Sequence, residues 1–155
     1  NLVPTSLDAE GNPYNEGLGY KEGYRLSSSG GESSNDGNII SGFIPYNGEV
    51  IRAYGSTNFN PAATGYYINF YDSNHNFKFC CSATKVDSDP GVYFDEIDRR
   101  SVFTVDPSLV TATDLKAAIA HPFIRVSLPT CGHYNFIVTL DEPLTINEEG
   151  GPDEE

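Results

Sequence analysis

"GYYINFYDSNHNFKFCCS", residues 65–82, is the stretch on which the fold turns. Tyr66, Ile68 and Phe70 alternate with Tyr67, Asn69 and Tyr71; after a polar turn, Phe77, Phe79 and Cys81 alternate with Lys78, Cys80 and Ser82. A period of two is the pleat of a β-strand, and such alternation gives each strand one buried and one wetter face. Two runs of this kind about a short polar turn predict an antiparallel hairpin. "NIISGFIPYNGEVIRAYG" (38–55) repeats the design around Asn47-Gly48, the dipeptide that type I′ hairpin turns favour.

Working outward, Tyr24, Arg25 and Leu26 read as an early strand that runs into "SSGGESSNDGN" (28–38), a polar loop with nothing to bury. "SVFTVD" (101–106), "FIRVSLP" (123–129) and "YNFIVTLDEPL" (134–144) are further strands, the last two joined by a "TCG" turn. "TATDLKAAIAHP" (111–122) is the one helix, with Thr113 as its cap, Pro122 as its stop, and His121 near the negative end of its dipole. About eight short strands with frequent turn signals predict an all-β fold, an antiparallel β-sandwich or jelly roll with one short helix. The domain spans 20–146; residues 1–19 read as an extended lead-in and 147–155 as an acidic, disordered tail or linker. The predicted core is Ile40, Phe43, Ile51, Ile68, Phe70, Phe79, Phe103, Val105, Ile124, Val126, Phe136 and Val138.

The chain has 155 residues, the size of one domain, and its 15 Gly, 10 Pro and 10 Tyr suit a turn-rich β fold. Its net charge is −13; five of the 22 acids lie in 148–155, and without them the charge is −8. Either value opposes binding to nucleic acid or to anionic membranes, which need clustered Lys and Arg. No apolar run approaches the ~20 residues of a membrane-spanning helix, so no membrane insertion is expected. No signal peptide is read at Asn1, and the chain reads as a mature or excised piece of something longer. Of the 3 cysteines, Cys80 and Cys81 are adjacent and point to opposite faces of a strand. With Cys131 they form neither a disulfide framework nor a metal set, so reduced thiols and folding in a cytosolic compartment are expected.

No catalytic arrangement is visible, and the chain is expected not to be an enzyme. His75, His121 and His133 lack metal-ligand spacing, and no G-x-S-x-G elbow is present. The carboxylate groupings Asp87/Asp89, Asp95/Glu96/Asp98 and Asp141/Glu142 are what 22 acids produce by chance. "DSNHN" (72–76) begins like a calcium loop but has Phe77 where that loop needs glycine, so it reads as a hairpin turn. No cofactor is implied; a structural Ca²⁺ at Asp87 and Asp89 is the one metal the sequence leaves room for. Tyr67, Asn69 and Tyr71 share one strand face, where phenol rings can stack on sugar rings and the amide can bond their hydroxyls. "YRLS" (24–27) and "IRVS" (124–127) repeat a pattern that would bring Arg25 and Arg125 out on a common face, paired with acids such as Asp72 or Glu142. These five residues are the candidate ligand-binding set.

In order along the chain, "GYRLSSSGGE", "SGFIPYNGEVIRAYG", "INFYDSNHNF", "FTVD", "FIRVSL" and "FIVTLDEPL" resemble a recurrent module at the C-terminal ends of tailed-phage and prophage proteins from gut bacteria. The resemblance runs from about residue 20 to 146; "DPGVYFDEID" (89–98) and the Ala-rich helix stand outside it. It implies a carbohydrate-binding-like β-sandwich in a virion protein of tail, fibre or baseplate type. The resemblance implies folding in the bacterial host cytoplasm, assembly as a homotrimer, and host-surface glycan or other virion proteins as partners. The 28–38 segment would then be an exposed, variable recognition loop. The alternative is a monomeric carbohydrate-binding module attached to a secreted bacterial polysaccharide-degrading enzyme.

Overall fold

The computed structural model describes residues 20–54, 67–82, 89–97, 100–129 and 137–141. Within them lie β1 (Tyr20–Leu26), β2 (Glu32–Ser41), β3 (Ile44–Pro45), β4 (Ile51–Tyr54), β5 (Tyr67–Tyr71), β6 (Phe77–Ser82), β7 (Val92–Ile97), β8 (Arg100–Val105), the helix α1 (Thr113–Ala118), β9 (Phe123–Pro129) and β10 (Ile137–Leu140). The strands form two antiparallel sheets. The first runs β1-β2-β9-β5-β6, with β3 also paired to β9, and the second runs β10-β4-β8-β7. The all-β sandwich expected from the alternation is the observed architecture, and the first sheet curls into a half-barrel.

The core lies between the sheets. Ile39, Ile44, Ile68, Phe70, Ile124, Val126 and Leu128 meet Ile51, Ala53, Val92, Phe103, Val105 and Val138 there, and Leu115 and Ala118 of α1 join the same cluster. Each is at most 5% exposed, so every second residue of β5 and β9 faces an apolar layer. The predicted core holds at Ile51, Ile68, Phe70, Phe103, Val105, Ile124, Val126 and Val138. Phe43 and Phe79 are half-buried, and Ile40 is buried with Leu26 in a separate cluster. Phe136 lies outside the described residues.

The hairpin read in 65–82 forms over its described residues, 67–82, with Ile68 opposite Cys81 and Phe70 opposite Phe79. The one at 38–55 does not. Ile44–Pro45 pairs with β9, whereas β4 pairs with β8 and β10. Both edges of β4 are therefore taken, and Pro45 has no N–H to offer a ladder. Asn47-Gly48 is a turn, with Gly48 at φ 81°, but it carries the chain from one sheet to the other. β9 and β10 likewise lie in different sheets, so the two strands read as joined by the "TCG" turn are not neighbours; 130–136 lie outside the described residues.

Two further expectations are corrected. The 28–38 loop is short, because β2 begins at Glu32; its polar residues pair with β1, Ser33 opposite Arg25 and Ser34 opposite Tyr24. Thr113 does not cap α1. Ala112 holds the cap position and makes no side-chain cap bond. Its N–H instead donates to the Asp89 carboxylate at 2.8 Å, and the same carboxylate accepts the N–H of Gly91 at 2.9 Å and of Thr111 at 3.2 Å. Burial would raise the Asp89 pKa, but these backbone donors outweigh it and hold the carboxyl below its ordinary value. The segment containing Asp89 thus ties the start of α1 to β7.

Candidate functional site

The outer face of the first sheet gathers the candidate residues. Directly opposed residues share a face, so the register Tyr67–Ser127, Asn69–Arg125 and Tyr71–Phe123 places one polar and aromatic layer across β5 and β9. That face was expected to be the wetter one. It is buried instead: Asn69 is 0% exposed, Tyr71 2% and Arg125 5%, and Tyr67 and Arg25 are half-buried.

The cover is the Ser/Gly stretch at the tip of the β1–β2 hairpin. The tip is a tight turn, with Ser27 N–H on the Gly31 carbonyl at 2.8 Å and Gly30 N–H on the Ser27 carbonyl at 3.0 Å. Gly30 at φ 90° supplies the left-handed residue that a three-residue hairpin loop needs. The Ser27 hydroxyl accepts the N–H of Ser29 at 3.2 Å and of Gly31 at 3.1 Å, fixing the loop from within. At Gly23 the pairing register shifts, so that Glu22 opposes Ile39 but Tyr24 opposes Ser34. Beyond that break the hairpin lies over the outer face. Leu26 N–H donates to Ser127 Oγ at 3.3 Å, the Asn69 amide to the Ser27 carbonyl at 3.2 Å, and the Tyr71 hydroxyl to the Gly30 carbonyl at 2.9 Å.

The two arginines do converge on this side of the sheet, from strands separated by β2. Their partners are not those expected. Arg125 forms an ion pair with Glu32 at 2.7 Å, and its Nε donates to the Ser41 carbonyl at 3.1 Å. Lys21 also reaches Glu32, at 3.6 Å. Arg25 donates to the Tyr67 hydroxyl at 3.5 Å, its guanidinium 5.6 Å from that ring's centre. Asp72 pairs with Lys78 at 3.8 Å, and Glu142 lies outside the described residues. Burial raises the Tyr71 pKa, with Arg125 opposing the shift. The Asn69 Oδ1 atom is buried without a hydrogen-bond partner.

Beside this layer stands a pile of flat groups. Phe43 stacks on His75 with ring centres 3.9 Å apart and planes 7° apart, and the Arg125 guanidinium carbon lies 4.6 Å from the Phe43 ring centre. Phe123 meets His75 at right angles at 4.6 Å, and Tyr71 meets Phe43 edge-on at 5.0 Å. His75 is exposed and sits at φ 66° in the turn of the β5–β6 hairpin. The Asp72 carboxylate holds that turn by accepting the N–H of Asn74 at 2.8 Å and of Asn76 at 2.9 Å. These bonds keep the Asp72 carboxyl below its ordinary pKa. Sequence reading placed Phe43 in the core and treated His75 as isolated. No local pattern links the two; the one signal was a histidine inside a turn, where left-handed backbone is common.

Among the described residues no group of three or more His, Cys, Asp and Glu is placed to hold a metal ion. The oxygens of Asp89 are occupied by backbone donors, and Asp87 lies outside the described residues. No described helix is long and apolar enough to cross a membrane. No family model, no curated protein and no solved structure matches this chain.

Proposed function

We propose that this chain is a non-enzymatic module of a tailed-phage virion, of the tail, fibre or baseplate type, serving host-surface glycan recognition or structural assembly. The observation that carries the reading is the rigid aromatic and amide layer on the outer face of the first sheet, where Arg25, Tyr67, Asn69, Tyr71 and Arg125 converge. Its buried members are locked to one another and to the hairpin tip, and its half-buried rim of Arg25 and Tyr67 offers a cation, a phenol ring and a hydroxyl in fixed positions. Pre-organised aromatic and polar groups on a strand scaffold bind without the entropic cost of ordering.

Two measurements test this. Purified protein applied to arrayed bacterial surface polysaccharides should bind saturably, and Arg25→Ala/Tyr67→Ala should weaken that binding without unfolding the chain. Light scattering after size exclusion should return a trimer or larger ring for a virion component. A monomer that binds no glycan would overturn both arms of the proposal.

A further inference from the structure

We infer that the outward face of the His75 ring is a stacking site for a neutral pyranose; this rests on the recognition arm of the reading above. Three flat groups are piled in order: the Arg125 guanidinium, the Phe43 ring and the His75 imidazole. His75 occupies one face of Phe43 at 3.9 Å, so the guanidinium at 4.6 Å takes the other. The base of the pile is anchored, because Arg125 is held by Glu32 and the Ser41 carbonyl. The top is anchored too. His75 N–H donates to the Asp72 carbonyl at 2.9 Å, inside a turn closed by the Asp72 N–H on the Asn76 carbonyl at 2.9 Å.

Phe123 does not cap the imidazole. Its ring centre is 4.6 Å from His75 and 6.4 Å from Phe43, a difference of less than half the 3.9 Å stacking distance. A ring covering the far face of His75 would add nearly the whole of that distance, so Phe123 stands beside the imidazole and extends the platform sideways. An exposed aromatic ring held flat, with a second ring as a wall, matches the apolar C–H face of a pyranose.

The surroundings select the ligand class. Ser73 and Asn74 are exposed in the same turn and present a hydroxyl and an amide, groups that both donate to and accept from sugar hydroxyls. The Asp72 carboxylate is committed to its own turn and to Lys78, leaving it poorly placed for a ligand cation. A chain of net charge −13 repels polyanions, so sulfated and phosphorylated glycans are disfavoured.

Saturation-transfer NMR on the full chain tests this with methyl β-D-galactopyranoside, methyl β-D-glucopyranoside and their neutral oligosaccharides as probes, and heparin as the anionic probe. A neutral sugar should shift the His75 ring protons and receive saturation from aromatic resonances. His75→Asn keeps a residue that tolerates the left-handed backbone but removes the ring, and should weaken binding by about tenfold or more. Binding that survives His75→Asn but is lost in Arg25→Ala/Tyr67→Ala overturns this site and leaves the recognition reading standing. Binding of heparin alone overturns the neutral ligand class, and no binding by any probe overturns the site together with the recognition arm.

Discussion

Gly30→Ala should lift the tip of the β1–β2 hairpin off the sheet. A Cβ built on Gly30 would lie 2.5 Å from Cδ1 of Phe77 and 2.7 Å from its Cβ and Cγ. Phe77 cannot retreat, because its backbone is opposite Tyr71 in the β5–β6 ladder and its ring packs edge-on against Tyr71. Alanine at φ 90° carries a left-handed penalty of ~1–2 kcal/mol. If the tip moves away, the buried Tyr71 hydroxyl loses the Gly30 carbonyl, at ~1–3 kcal/mol for an unpaired buried polar group. The combined loss is about 2–5 kcal/mol. Gly48→Ala is the control: its φ is 81°, but no atom lies within 4 Å of the added carbon, so only the strain of ~1–2 kcal/mol applies. Urea denaturation of both variants gives the difference, and amide hydrogen exchange locates it. Protection should fall across 24–34 in Gly30→Ala while 67–71 and 123–129 keep theirs. Equal destabilisation of the two variants, with unchanged exchange over 24–34, would refute the claim that the tip is pressed onto Phe77.

Other consequences can be checked separately. Asp89→Ala should cost about 1.5–3 kcal/mol through the orphaned N–H groups at Gly91, Thr111 and Ala112, read by thermal or urea unfolding. Because the folded-state pKa of Asp89 is depressed, its contribution is present above the unfolded value of about 3.9 and is lost as pH falls through the lower folded value. Asp89→Asn should therefore flatten the dependence of stability on pH below about 4. Cys80 and Cys81 are both buried and burial raises the Cys81 pKa, so a thiol-specific dye should label these two only when the protein is unfolded. Val126→Asp would put a charge into the intersheet core at a site with 0% exposure and should destabilise by at least the ~2–5 kcal/mol typical of core truncations; a fully stable variant would contradict the packing of β9.

The period of two in 67–71 and 123–129 was enough to identify strands and their inward residues, because a one-residue slip would turn Ile68, Phe70, Ile124 and Val126 to the wrong face; past the register shift Phe77 falls opposite Tyr71 and not on the face of Phe79. Sheet membership was not legible at Asn47-Gly48. Turn chemistry fixes where a chain bends, and the edge it then joins is decided by partners as distant as β8 and β10. The polar strand at 32–38 was hidden because "ESSNDGN" carries no alternation to read: Glu32, Ser33 and Ser34 pair with β1, and Asn38 already pairs with β9. The Tyr67–Asn69–Tyr71 face was correctly grouped, yet its cover was invisible, since Ser27 and Gly30 hold Asn69 and Tyr71 through backbone carbonyls, which leave no mark in a side-chain pattern. The same limit explains the helix cap: Asp89 stands 23 residues before the Ala112 N–H it holds, beyond any local capping pattern.

The position of β9 governs when this molecule can be finished during synthesis. The strand is contributed by 123–129, yet it runs between β2 and β3 on one side and β5 on the other. Until those residues leave the ribosome, the nascent chain holds two separate hairpins, each with an unpaired edge ready to join another chain. A late central strand leaves both hairpin edges open until it has emerged and exposes truncated products to aggregation. A synthetic peptide spanning 123–129, added to a chain ending before it, would be the natural means of completing the sheet from outside.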